Sequence, residues 1–155
     1  VEIAKFVEQN IDVLSKNSKT VWEMNSQVVR GRVWEQIRIQ TDLKGWEFIG
    51  GQNQKLLDFF YDKTGIIMQQ KTIGSITEAT LKSYKSSYTK IIKELDNVVR
   101  AKSYVLQGGK RVLQVKRARL DIVVQEGVDI SKLESYLNSK ITQDRLNVIV
   151  NIIIK

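Results

Sequence analysis

The chain ends in Leu146 to Ile154, a run that is β-branched and apolar on both faces. A strand of that kind has to be covered above and below, as in a sheet enclosed by helices. What precedes it fits. Leu120 to Val124 reads as another strand. Leu133, Leu137 and Ile141 then recur at helical spacing, after an S-x-x-E capping box at Ser131 to Glu134. Strand, helix and buried strand make a right-handed βαβ unit with parallel strands. The sequence therefore predicts an α/β fold, a mixed central sheet flanked by helices.

The remaining segments supply the other elements. Ala4, Val7, Ile11 and Leu14 predict a first helix over Glu2 to Leu14, followed by a polar break at Ser15 to Ser18. Val21 to Arg38 fits both periods, and a helix ending near Ile39 is favoured. Trp46 to Ile49 alternates and stops at Gly50-Gly51, as a short strand does. Leu56 to Asp62 and Ile66 to Lys71 flank the turn Lys63-Thr64-Gly65 and predict a β-hairpin. Ser75 to Glu78 is a second S-x-x-E box. Leu81, Tyr84, Tyr88, Ile91, Leu95 and Val98 after it give the clearest helix in the chain. Gln107-Gly108-Gly109-Lys110 marks a hairpin between Ser103 to Leu106 and Arg111 to Val115. The 155 residues suit one compact domain, with residues 1–25 as an N-terminal helical segment and 26–155 as the main body. The first residue is Val1 rather than Met, which suggests a piece of a longer chain. No signal peptide is recognisable, and no apolar run approaches the ~20 residues that span a bilayer, so no stable membrane insertion is expected.

Composition narrows the chemistry. There is no Cys and no His. Disulfides, thiol nucleophiles, histidine bases and Cys/His zinc cages are excluded. Any catalysis has to come from carboxylates, lysine, arginine, hydroxyls, amides, or a hard divalent ion held by oxygen ligands. The net charge of +8 favours a polyanionic partner, nucleic acid or an acidic protein.

Asp58 falls on the first arm of the central hairpin, while Gln69 and Lys71, two residues apart, share one face of the second arm. With the arms folded back to back, the three come together. Phosphodiester hydrolysis needs such a cluster: a carboxylate on a rigid strand to hold a divalent cation, and an ammonium group to orient water or offset the developing charge. Glu35, reaching in from the preceding helix, would complete the metal shell or position a water. Bland alternatives stand beside each assignment. Asp58 and Asp62 also read as solvated hairpin carboxylates and Glu35 as a surface helix residue. Gln69 also reads as a cross-strand amide, and Trp34 and Trp46 as core. Arg30 and Arg32 are candidate phosphate contacts, although an R-G-R triplet also occurs in a solvated turn. Lys82 and Lys85 lie off the apolar stripe of the long helix. They read either as a solvated face or as contacts to a nucleic-acid backbone.

In this order of elements the sequence resembles the PD-(D/E)XK nuclease superfamily, and more narrowly the nuclease toxins at the C-termini of CdiA proteins, effectors of contact-dependent growth inhibition. The resemblance is carried by Val33-Trp34-Glu35-Gln36, by Leu57 to Asp62, by Gly65 to Thr72 and by Asn147 to Lys155. It covers roughly Val28 to the end. It implies Glu35 as the helix carboxylate, Asp58 as the metal-binding aspartate and Lys71 as the catalytic lysine. Asp62 would be a second acidic ligand, at a spacing shifted by one. Gln69 departs from the acidic residue of the superfamily pattern: its amide oxygen can ligate a metal but adds no charge. The resemblance further implies a Mg, Mn or Zn cofactor and an effector domain delivered from the cell surface into the cytoplasm of a target bacterium. It also implies a cognate immunity protein, docking either on a basic cleft or on the edge of the Tyr104 to Val115 hairpin. DNA is the favoured substrate and tRNA the alternative. A non-catalytic, basic nucleic-acid-binding domain is the reading from a different class.

Overall fold

Strands that alternate between two apolar faces set the architecture. The computed structural model describes residues 2–50, 55–106 and 108–155. Its main sheet has five strands, β1 (Glu47–Phe48), β2 (Phe59–Tyr61), β3 (Ile66–Ile73), β6 (Arg117–Val124) and β7 (Ile149–Ile154), in the order β1-β2-β3-β6-β7. The first three are antiparallel neighbours, whereas β3, β6 and β7 run parallel. The mixed α/β sheet expected from the sequence is present. β4 (Ser103–Val105) and β5 (Val112–Gln114) form a separate antiparallel hairpin. Gln107 of the expected turn lies outside the described residues, and Leu106 N–H donates to Arg111 O across the loop.

Helices cover both faces. α4 (Glu78–Ala101) and α5 (Ser131–Asp144) cross over between the parallel strands and pack on the face carrying Ile67, Ile73, Leu120, Ile122 and Val124. α1 (Glu2–Lys16), α2 (Lys19–Trp22) and α3 (Gln27–Gln40) build a second cluster around Val7, Leu14, Val21, Trp34 and Ile37 that reaches Val123 on the opposite face. The N-terminal segment thus shares its apolar core with α3, and the Trp22 indole N–H donates to Lys155 O at 3.0 Å.

Several boundaries differ from expectation for identifiable reasons. The helix expected across Val21 to Ile39 is interrupted: Ser26 caps α3 by accepting the Val29 N–H, which forces the chain out of helix before Gln27. α4 is capped by Thr77, not Ser75, in a reciprocal box with Thr80. The N-terminal turn of α5 is held by Asp129, whose carboxylate accepts from Ser131 N–H and Oγ–H, so Ser131 is inside the helix and not its cap. β7 occupies the sheet edge, with Ile149 and Ile154 both 62% exposed. The strand buried on both faces is its neighbour β6, between β3 and β7.

Candidate active site

The hairpin brings the predicted residues together because β2 stops early. Phe59 pairs with Met68, and Asp58 N–H still donates to Met68 O at 2.9 Å. There the first arm turns away, with Asp58 O taking both the Ile49 and Gly50 N–H groups. The next donor on β3, Gln70 N–H, meets the Asp58 carboxylate instead of a backbone carbonyl, at 2.8 Å. Beyond this point no strand pairs with this edge of β3 among the described residues. A cleft of ≈ 420 Å³ opens there between α3 and α4.

Glu35, Asp58, Gln69 and Lys71 all line that cleft. Glu35 reaches it from α3 and Lys71 from β3, while Tyr84, Ser87 and Tyr88 close it from α4. Gly31 of α3 faces Thr72 of β3, where a methyl group would make only an ordinary contact with Thr72 Oγ1, at 3.6 Å. Gly50 backs the aspartate. A Cβ at that position would come within 2.9 Å of Asp58 Oδ1, so the absence of a side chain makes room for the carboxylate.

Two carboxyl groups in contact, both half-buried, cannot both ionise cheaply. Glu35 is pushed from an ordinary 4.5 to about 8 by burial, by the charge of Asp58 and by their mutual hydrogen bond. The positive charges of Arg32 and Lys71 only partly offset this. Burial also raises Asp58, against the Gln70 N–H, the Glu35 hydrogen bond and the Lys71 charge. At neutral pH the pair therefore holds one proton, on Glu35, with Asp58 as its acceptor. Burial, with Tyr84 beside it, also raises Tyr88, so this phenol at the cleft wall stays protonated and offers a donor.

The donors present fit a hard cation. Gln69 Oε1 is buried and has no hydrogen-bond partner among the described residues, and with Glu35 and Asp58 it offers an all-oxygen set. A divalent ion would replace the shared proton and satisfy the orphaned amide oxygen. The set has two carboxylates, since no cluster of three or more acidic, Cys or His ligands occurs among the described residues.

No family model matches the chain, and no curated protein matches it. Among solved structures it is similar to a chain of the "CdiA-CT/CdiI toxin and immunity complex from Yersinia pseudotuberculosis", with a TM-score of 0.50 and 18% identity. The likeness covers 79% of this chain and 98% of that one. In fold, then, the chain is similar to one from a toxin–immunity complex. At this identity the likeness is one of architecture alone.

The other expected site residues divide. Arg32 lines the cleft. Arg30 turns aside: its guanidinium donates to Met24 O and borders a neighbouring cavity that shares Gln27 and Tyr84 with the cleft. Asp62 is not brought in. It is exposed in the turn after β2, its charge acting on Arg111, roughly 13 Å along the chain from Asp58. Lys82 and Lys85 face away, toward α5. Tyr84, Ser87 and Tyr88 were not singled out as site residues. The two tyrosines sit in the apolar stripe of α4, and the only sequence signal was a hydroxyl on each ring.

Proposed function

We propose that this chain is the toxin of a toxin–immunity pair, a metal-dependent nuclease of the PD-(D/E)XK type that hydrolyses phosphodiester bonds, with DNA as the preferred substrate. One observation carries the reading: Glu35, Asp58, Gln69 and Lys71 line a single cleft in which two half-buried carboxyl groups face each other and a buried amide oxygen has no partner among the described residues.

In this reading Asp58, Gln69 and Glu35 hold a divalent cation. Such an ion neutralises charge on the phosphoryl oxygens and makes water more acidic. Gln70 N–H fixes the Asp58 carboxylate. The Lys71 ammonium offsets the charge that builds up as the bond breaks, and orients the attacking water. Arg32 attracts the phosphate, and the Tyr88 hydroxyl donates to one of its oxygens. The fold likeness to a chain of a CdiA-CT/CdiI complex supports an immunity protein as partner. A net charge of +8 suits the toxin side of such a pair. An acidic inhibitor would complement this surface. The β4–β5 hairpin, with Val105 and Val112 55% and 50% exposed, offers an edge for it to dock on. Delivery into a target cell follows from the same reading. No helix among the described residues is long and apolar enough to cross a membrane.

Supercoiled plasmid and bulk tRNA, each incubated with the protein and Mg²⁺, Mn²⁺ or Zn²⁺, test the proposal. Plasmid nicking that requires a divalent ion and disappears with Asp58→Ala is expected. Cleavage of tRNA alone would move the substrate to RNA. Cleavage of neither, or cleavage that survives Asp58→Ala, would end the nuclease reading.

A further inference from the structure

α4 carries a second polar surface on the shoulder opposite the cleft. Lys82, Lys85 and Lys93 of α4 and Lys140 of α5 border a recess of ≈ 420 Å³, with Thr89 and Tyr136 among its walls. No acidic residue lines it. None of the four lysines takes part in an ion pair among the described residues. Lys85 and Lys140 are half-buried, and their ammonium groups stand 5.1 and 5.6 Å from the centre of the same Tyr136 ring. One aromatic ring gives each cation a weak attraction, while the two cations repel each other. The surface is arranged to be completed by an anion.

Its position says which anion. Tyr84, Ser87 and Tyr88 line the cleft and Lys85, Ser86 and Thr89 line the recess, so the same turns of α4 serve both. Between them the outer side of the helix presents the small, exposed residues Ala79, Ser83 and Ser86. A helix is about 10–12 Å across, and the major groove of B-form DNA is about 12 Å wide. The major groove of A-form RNA is too narrow to admit a helix. We propose that α4 enters the major groove of duplex DNA, one strand's phosphate lying in the cleft and the other strand's phosphates on the lysine–tyrosine recess. This deepens the nuclease reading by naming a duplex as substrate, and it rests on that reading for the strand in the cleft.

Binding tests it without cleavage. A fluorescent 30-bp DNA duplex, a single strand of the same length and tRNA are titrated in EDTA with wild type and with the triple variant Lys82→Ala, Lys85→Ala, Lys140→Ala. Each phosphate contact contributes about 0.9 to the slope of log affinity against log salt, or about fivefold at 0.15 M. The triple variant is expected to bind the duplex ~10- to 100-fold more weakly, with a slope shallower by ~2–3. Smaller losses are expected on single strand and tRNA, and arginine at the three positions should restore duplex binding. Unchanged duplex affinity and slope, or an equal loss on all three nucleic acids, would overturn the proposal. Absence of cleavage by wild type in a separate assay would count against the nuclease reading and leave this measurement intact.

Discussion

Two carboxylates sit on either side of Gln70, one half-buried and one fully buried, and the protein treats them in opposite ways. Asp121 of β6, opposite Gln70 in the sheet, is fully buried. Arg119 binds it bidentately at 2.6 and 2.9 Å, and Arg38, which also donates to the Gln70 side-chain oxygen, adds a bond at 2.8 Å. Asp58, held by the Gln70 backbone N–H, has no guanidinium bonded to it. Its neighbour is another carboxyl group, Glu35. A buried anion matched by donors is part of the scaffold. A half-buried pair left to share a proton stores electrostatic free energy that a cation can release. The first cluster anchors the backbone that positions the second.

The sharpest way to separate the two is to remove each acid. Asp58→Ala should lower cleavage by ~10³-fold or more while leaving the thermal midpoint unchanged or higher, since it relieves the strain on Glu35. Assay and melting curve are read on the same preparation, and a variant that loses activity only by unfolding would erase the contrast. Asp121→Ala should do the reverse. Buried Arg38 would keep only the longer ion pair with Asp42, and part-buried Arg119 would lose its carboxylate, so a destabilisation of about 3–5 kcal/mol is the expected result of urea unfolding. A loss below ~1 kcal/mol would show that the cluster is not the anchor described.

Smaller effects refine the comparison. Gly50→Ala places a methyl group 2.9 Å from Asp58 Oδ1. Displacing that oxygen by a fraction of an ångström should reduce turnover ~10-fold, with metal affinity falling in parallel. Full activity would mean that the aspartate has room to spare. The smallest effect is on stability against pH. The folded pKa of Glu35 lies above its unfolded value, so the native state holds an extra proton between about pH 4.5 and 8. That contribution is complete below pH 4.5 and is lost as pH rises through 8. The metal-free melting temperature should therefore decline across this window in wild type and decline less in Glu35→Gln. Parallel curves would remove the shared proton.

Much of this was legible in the chain and some was not, for physical reasons. The turn Lys63-Thr64-Gly65 and the period-2 placement of Gln69 and Lys71 are local signals, and the cleft follows once Asp58 is set on the facing arm. The stripe of α4 was equally clear, but a tyrosine packed in a stripe looks the same as one opening onto a site. Tyr84 and Tyr88 were therefore counted only as members of that stripe. Asp62 was kept as a second ligand beside Asp58 because sequence spacing does not reveal where a hairpin arm turns away. Lys82 and Lys85 were placed on the correct helix without revealing which shoulder they occupy. The match of Arg38 to Asp121 spans 83 positions, and no local pattern announces it. That contact tells a structural acid from a chemical one, so the distinction had to wait for the fold.

The central claim is that Asp58 and Glu35 give up their proton to a divalent cation. Titrating Mn²⁺ into the protein at pH 7, in two buffers of different ionisation enthalpy, counts that proton directly. The account predicts about one proton released per cation bound in wild type and none in Glu35→Gln. Cation binding with no proton release from the wild-type protein, or no binding at all, would contradict it.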